Sequence, residues 1–585
     1  MSYFDDASLV LIPSGYKDQK IFSVKPLDGS GDLAFSRASS ATRVASNGLI
    51  EKVRTNLLLQ SNSFDTTWVS NGGSGSTVTS GQADPDGGTS AWLFAKLSQT
   101  GRREQTITTG ASEQTFSIVA KKGTSNFLYV VVFDGTTSHT SYFNLDTGAV
   151  GTQSDAVASM VSVGNGWYRC SLTSANVSAS GIIQLYISDA DGAVSGTTGD
   201  IYIYQSQFEN GVATDYIATT TAAVSVGPVA NVPRLDYLNS SCPRLLLEPQ
   251  RTNSATYSEQ FTNAVWTGSG ATVVANQAVS PDGYTNADLL YPATSGNFAG
   301  KYQNLAAGTT GVLSCYVKQA GKRFAQLGTD NNATYTCAFD LQLGTVVRTA
   351  TNYTGTITSV GNGWYRITAA YVSSAGAVYP FIGVSDNAAG AVTVDGTNGL
   401  YIWGFQYETS ATYATSYIPT LGTSVTRVAD FGSNSNTIGT SYSSNDFTYF
   451  IEFDLLHDST DRSPMLFGGG NQALGSSYQG YLRIGLFGND SIALFGHGDS
   501  LMASAISPLT KGTRYKFLVK RSGTSIKFYL NGAQIGSTGT SSLGFTLRSI
   551  GWSYAAGSYN TEGNIYQFLA FQTALSDADC IALTA

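Results

Sequence analysis

Charge is what this 585-residue chain has least of: 12% of its residues are charged, against ~25% in an ordinary soluble domain. The net charge is −8, and no cluster of Lys and Arg could neutralise a row of phosphates, so nucleic acid is not an expected partner. No apolar run reaches the ~18 residues of a membrane-spanning helix, so no membrane insertion is expected. The opening MSYFDDASLV lacks the basic start and apolar core of a signal peptide, which predicts no export by the general secretory route. No heptad stretch specifies a coiled coil. The five cysteines (Cys170, Cys242, Cys315, Cys337, Cys580) show neither CxxC spacing nor an even count, which argues against a disulfide framework. Cys315 and Cys337 are candidates for neighbouring strands, but free buried thiols are the preferred reading. The three histidines, His139, His457 and His497, stand far apart without metal-ligand spacing.

Turn residues and aromatics are abundant instead. Glycine supplies 64 residues, tyrosine 33 and phenylalanine 28. TFSIVAKKG from Thr115, FLYVVVFDG from Phe127 and YKFLVKRSG from Tyr515 alternate with period two, and turn residues interrupt such runs every ~8–12 positions. The chain is therefore expected to be all-β. One exception is LSDADCIAL from Leu575, which predicts a short helix capped by Ser576. Asn531-Gly532, between two apolar runs, predicts a tight hairpin turn.

The sequence repeats itself. GNGWYR begins at Gly164 and again at Gly361, an offset of 361 − 164 = 197 residues. RTN at Arg54 recurs at Arg251, PDG at Pro85 recurs at Pro281, and FNLDTG at Phe143 answers FDLQLG at Phe339. IYIYQSQFE from Ile201 matches LYIWGFQYE from Leu400, and Tyr-Ile follows at Tyr216 and Tyr417. A unit of roughly 165 residues is far longer than the ~20–50 of a solenoid repeat, so each copy should hold its own core. The predicted organisation is an N-terminal segment (1–53), a first module (54–220), a connector (221–250), a second module (251–421) and a different region (422–585). ATRVA at Ala41, NVPRL at Asn231 and VTRVA at Val425 read as strand-bearing connectors that fix one module against the next. The expected shape is an elongated string of globules.

RTNLLLQSNSFDTTW from Arg54, LLLEPQRTNSATYSEQF from Leu245, PDG, GNGWYR and IYIYQSQFE together resemble the carbohydrate-binding-module-like domains of bacteriophage tail and fibre proteins. The opening, through SRASSATRV, resembles the N-terminal region of the same virion proteins, including those of crAss-like and related phages of Bacteroidetes. The resemblance covers about the first 420 residues and implies jelly rolls, two antiparallel sheets packed face to face. FTYFIEFDL at Phe447, YKFLVKRSGTSIKFYLNGAQIG at Tyr515 and GNIYQFLAFQTALSDADCIAL at Gly563 resemble a concanavalin-like, laminin-G-type sandwich, without an obvious acidic cluster for calcium.

Binding residues are expected where the two copies differ. Trp92 (opposite Asp288), Trp403 (opposite Tyr204), and Trp552 with Tyr554 are the candidate carbohydrate-binding residues. Trp167 and Trp364, inside the repeated signature, and Trp68 and Trp266, at matching places, read as packing residues. A structural Ca²⁺ held through Glu209 and Glu408 is compatible with the resemblance. The preferred alternative has these carboxylates satisfying backbone amides or pairing with Arg54 and Arg251. No other cofactor is expected, and the metal content stays open. No catalytic residue is assigned: Asp84 with Asp86, and Asp577 with Asp579, read as turn and cap residues, and no GxSxG elbow is visible.

What the resemblance implies is a protein of the virion surface, assembled in the host cytoplasm and joined to other virion proteins through its N-terminal region. Host cell-surface polysaccharide is the expected partner, and a homo-oligomer the expected state. A purely structural virion component and, less favoured, a capsule depolymerase are the competing readings.

Overall fold

The computed structural model describes residues 3–430 except 18, 72–74, 109–111, 178–179, 306–308 and 373–378. It also describes residues 437–585 except 445, 458–465, 469–480, 485–490, 496–500, 507–508, 541–544 and 551–561. Paired strands run antiparallel and build three β-sandwiches, two tandem jelly rolls and a concanavalin-like third.

In the first module one sheet runs Val157–Gly164, Trp167–Val177, Ser112–Lys122, Gly199–Asn210, Ala91–Lys96, Ser76–Gln82. The facing sheet runs Ala149–Ser154, Ser138–Asn144, Phe127–Phe133, Ser180–Ser188, Arg102–Thr108, Val69–Asn71. Alternate side chains of each meet between them: Phe116, Ile118, Leu128, Val130, Val132, Leu172, Ile183 and Leu185 form one buried core. The second module repeats the strand order, from Tyr353–Gly361 across to Ala271–Val279 in one sheet and from Thr345–Arg348 across to Thr267–Ser269 in the other.

Each repeated motif has a structural task. In GNGWYR the Gly-Asn-Gly turn takes positive φ at all three residues (Gly164 92°, Asn165 53°, Gly166 76°; Gly361 90°, Asn362 51°, Gly363 77°), a conformation glycine and asparagine tolerate best. The tryptophans are buried, 3% and 2% exposed, in small clusters apart from the module cores: Trp167 with Val119 and Tyr204, Trp364 with Tyr316 and Trp403. The arginine pins the module's end: Arg169 donates to Ser117 Oγ and the Thr214 carbonyl, and Arg366 donates to Ser314 Oγ and the Thr415 carbonyl. In RTN, the buried Asn56 amide donates to the carbonyls of Ser206 and Ile217, as Asn253 does to Phe405 and Ile418. Glu209 and Glu408 accept from Thr214 and Thr415 through backbone amide and hydroxyl. Arg251 stands 3.9 Å from Glu408, whereas Arg54 turns to the Tyr284 hydroxyl of the second module.

The third sandwich is assembled from three separated stretches, which redraws the expected organisation. Leu9–Leu11 pairs with Gly563–Phe571, Leu33–Ala34 pairs with Thr437–Ser444, and Arg244–Leu247 of the connector pairs with Gly563–Phe571. Leu9, Leu11, Ile21, Leu33, Phe35, Leu245 and Leu247 share one core with Phe447, Ile451, Phe517 and Phe568. Residues 1–53 are thus no separate arm and 221–250 no mere connector. Both contribute apolar strands that the 422–585 region needs to cover its sheet, and the chain closes on itself rather than running on as a string. The helix Asp577–Thr584 is capped by Ser576, whose hydroxyl accepts from Asp579 N, and Asn531 and Gly532 both take positive φ in their turn.

Five buried ions clasp these stretches together. Arg234 and Arg427, one in each of two lead-ins, both reach Glu248 Oε2 at 2.6 Å. Arg37 lies 3.0 Å from Asp430, which also takes Arg234. None of the five side chains is more than 3% exposed.

Candidate binding face on the first module

Phe127–Phe133 points Leu128, Val130 and Val132 into the core and therefore Tyr129 and Val131 outward. Register then decides what stands beside Tyr129: Tyr142 on one side, Tyr186 on the other, and beyond Tyr186 first Arg102 and then Asn71. Five neighbouring strands thus set Tyr142, Tyr129, Tyr186, Arg102 and Asn71 in one row across the outer face of the sheet. At ~4.8 Å between strands, the row is roughly 19 Å long. Tyr129 stacks on Tyr142 with ring centroids 4.1 Å apart and planes at 20°, and lies 5.6 Å from Tyr186. The Arg102 guanidinium sits over the Tyr186 ring at 5.6 Å.

A polar row runs parallel to it. Glu104 accepts from Arg102 Nε at 2.7 Å, from Gln184 Nε2 at 3.1 Å, and from Asn71. Burial works against the Glu104 charge, but these donors hold its carboxyl below the ordinary range. Burial raises the Tyr142 and Tyr186 hydroxyls, so both phenols stay protonated near neutral pH. Tyr129, Tyr186, Arg102, Glu104 and Gln184 are half-buried and reachable; Tyr142, 8% exposed, is the inner end of the stack. The face offers apolar ring surface beside fixed hydrogen-bond donors and acceptors, which suits a neutral polyhydroxylated ligand.

The second module closes the same place. Register puts Ala338, Gln326, Gly383 and Gly300 where Tyr142, Tyr129, Tyr186 and Arg102 stand. The Phe381 ring lies against both glycines: a Cβ added at Gly300 or Gly383 would fall 2.6 or 2.4 Å from it. Arg348 donates to Gln326 Oε1 at 2.7 Å and to the Thr336 and Ala388 carbonyls. Difference between the copies is the signal that marks the row, yet it lies in three tyrosines on three separate strands.

The candidates chosen from sequence fall elsewhere. Trp403 is fully buried between Tyr316 and Tyr417 and offers no face to a ligand. Trp92 is 9% exposed, and its Nε1 donates to the Asn62 carbonyl at 2.9 Å; in the second module Asp288 holds the corresponding loop by accepting from Phe261 N. Both are packing residues here. Trp552, Tyr554 and His497 lie outside the described residues. Trp68, Trp167, Trp266 and Trp364 are buried. Asp84 accepts from three amides of its own turn, and Asp577 binds Lys520, Lys527 and Tyr529. All five cysteines are free, Cys315 and Cys337 on opposite sheets of the second module. Among the described residues no group of three or more His, Cys, Asp or Glu could hold a metal ion.

No protein-family model matches the sequence, and no curated protein matches it. Among solved structures, the sialidase CBM40 of Ruminococcus gnavus bound to α2,3-sialyllactose shares 16% identity with a TM-score of 0.21, covering 25% of this chain and 85% of its own. The LG1–3 region of the laminin α2 chain shares 8%, with a TM-score of 0.17 and coverage of 81% and 96%. Trypanosoma rangeli sialidase in complex with sialic acid shares 10%, with a TM-score of 0.18 and coverage of 94% and 96%. At these TM-scores the likenesses carry no argument about site or ligand.

Proposed function

We propose that this protein is an adhesin of a bacteriophage particle that holds host-surface polysaccharide on the outer face of its first module. The observation that carries the reading is the row Tyr142, Tyr129, Tyr186, Arg102 and Asn71, open in one copy of the repeat and filled by Phe381 and Arg348 in the other. Its length of roughly 19 Å accommodates several consecutive sugar rings, each presenting a C–H face to tyrosine and hydroxyls to the Glu104 network. The place on the virion rests on the resemblance of SRASSATRV, RTN and GNGWYR to phage tail and fibre proteins. The role is binding rather than catalysis: Glu104 is held ionised by its donors, and Asp191, the carboxylate near Tyr142 at the other end of the row, accepts from the Thr152 amide and hydroxyl.

Titration calorimetry of the full chain against host capsular polysaccharide tests this. Saturable binding is expected, with affinity falling about fivefold in Tyr186→Ala and in Tyr129→Ala, each stacking contact contributing ~1 kcal/mol. Undiminished binding in both variants overturns the site, and no binding by the wild type favours the purely structural component.

A further inference from the structure

Lys52 belongs to the lead-in of the first module, yet its ammonium reaches a largely enclosed place on the second. Nζ stands 2.9 Å from Asp282 Oδ2, 2.5 Å from Glu259 Oε2, and 5.5 Å from the centre of the Trp403 ring. The Tyr417 hydroxyl donates to Glu259 Oε1 at 3.1 Å. Ser280 Oγ and Tyr284 N donate to Asp282 Oδ1 at 2.6 and 3.2 Å, and Asn286 donates to Oδ2 at 3.2 Å. Trp403, Tyr417 and Tyr316 form the apolar wall. The Asp282 side chain is 1% exposed and those of Lys52 and Glu259 17% and 18%. One cation and two carboxylates thus share a site from which most water is excluded. Burial works against both charges, yet Asp282 and Glu259 hold the Lys52 ammonium above its ordinary value, and Lys52 and Ser280 hold Asp282 below its own, so the resting pair is ionic and condensation must begin with a proton transfer.

We propose that Lys52 and Asp282 condense into an intramolecular side-chain amide, with Glu259 carrying the protons. Glu259 takes a proton from the Lys52 ammonium, freeing the Nζ lone pair. Nζ attacks Asp282 Cγ, whose Oδ1 is polarised by Ser280 and the Tyr284 amide, and a new N–C bond forms. Glu259 relays two protons in all from nitrogen to Oδ2, the C–Oδ2 bond breaks, and the oxygen leaves as water. Ammonium and carboxylate become amide and water; Glu259 ends as it began, and no other reactant is needed. Burial raises Glu259, which suits it to hold the proton in transit. The fold pays the orientational entropy by setting the reacting groups in contact.

Comparison inside the molecule sharpens the assignment. In the first module Asn62 replaces Glu259, and Asp86, at the place of Asp282, accepts from the Tyr204 hydroxyl instead. Lys322 also faces two carboxylates, Asp386 at 2.6 Å and Asp395 at 3.0 Å, but these are 28% and 45% exposed, so water solvates the ions and the pair stays ionic. The amide would tether the lead-in to the second module and close a covalent loop around the entire first module.

The intact mass of the purified full chain decides the matter. The expected mass is one water below that of the sequence, and a protease digest should yield a joined peptide containing Lys52 and Asp282, with Lys52 resistant to trypsin. Lys52→Arg, which keeps the charge, and Glu259→Gln should each restore the full mass and the separate peptides. A wild-type chain at full sequence mass, with Lys52 cleaved by trypsin, overturns the proposal. So does a lost water that maps to any other pair, or a joined peptide that persists in Glu259→Gln.

Discussion

Glu248 keeps a negative charge where water does not reach. Burial alone would push its carboxyl up, but Arg427, Arg234 and the Ser416 hydroxyl outweigh it and hold the group at about 2, below its ordinary 4.5. A carboxyl depressed in the fold stabilises the protein above its unfolded value, and that stability is lost as pH falls through the folded one. The clasp should therefore weaken between pH about 4.5 and about 2, by roughly 3 kcal/mol in all. In Glu248→Gln this part of the acid slope should vanish. Near neutral pH the same variant should be less stable by about 3–5 kcal/mol, because two buried guanidiniums lose their shared partner. Urea unfolding at a series of pH values reads both effects; an unchanged acid limb would show that the charge of Glu248 does not contribute.

At the scale of elements, the strand Leu9–Leu11 is three residues long, yet all three are buried and it pairs along Gly563–Phe571. Removing residues 3–35 would uncover the core that Ile21, Leu33 and Phe35 complete. The truncated chain should express as aggregated protein or expose apolar surface to a hydrophobic dye, with the first module still folded; a truncation whose third sandwich unfolds as cooperatively as before would show that these strands are dispensable. What the sequence displays well is local. The Asn531-Gly532 turn, the Ser576 cap and the alternation of FLYVVVF are written within a few residues of the structure they form, and GNGWYR can be found because two copies need the same turn. Leu9-Val10-Leu11 gives no sign of its partner near the other end of the chain, since three apolar residues suit any sheet edge. The tyrosine row was hidden for a related reason. Tyr129, Tyr142 and Tyr186 become neighbours only through strand register, whereas a tryptophan stands out in a sequence even when, like Trp403, it is buried under a lead-in.

Among the described residues the molecule presents this row once. Because Phe381 and Arg348 fill the matching face of the second module, duplication has not produced two equal sites of this kind. The second copy is instead bound into the closed body: its end is held through Glu248 and Arg427, and the Tyr284 hydroxyl takes Arg54 from the first. If this row holds polysaccharide as proposed, strong attachment to a repetitive surface through it must come from several chains, since each shallow face contributes only a few stacking and hydrogen-bond contacts. Chains clustered on a bead or a particle should retain host polysaccharide ~10²–10⁴ times more tightly than the monomer in solution. Surface plasmon resonance at graded chain densities measures this: dissociation should slow steeply as density rises, and this slowing should be largely lost when every chain carries Tyr186→Ala. Dissociation independent of density would show that neighbouring chains do not share one ligand, and would overturn the argument from avidity.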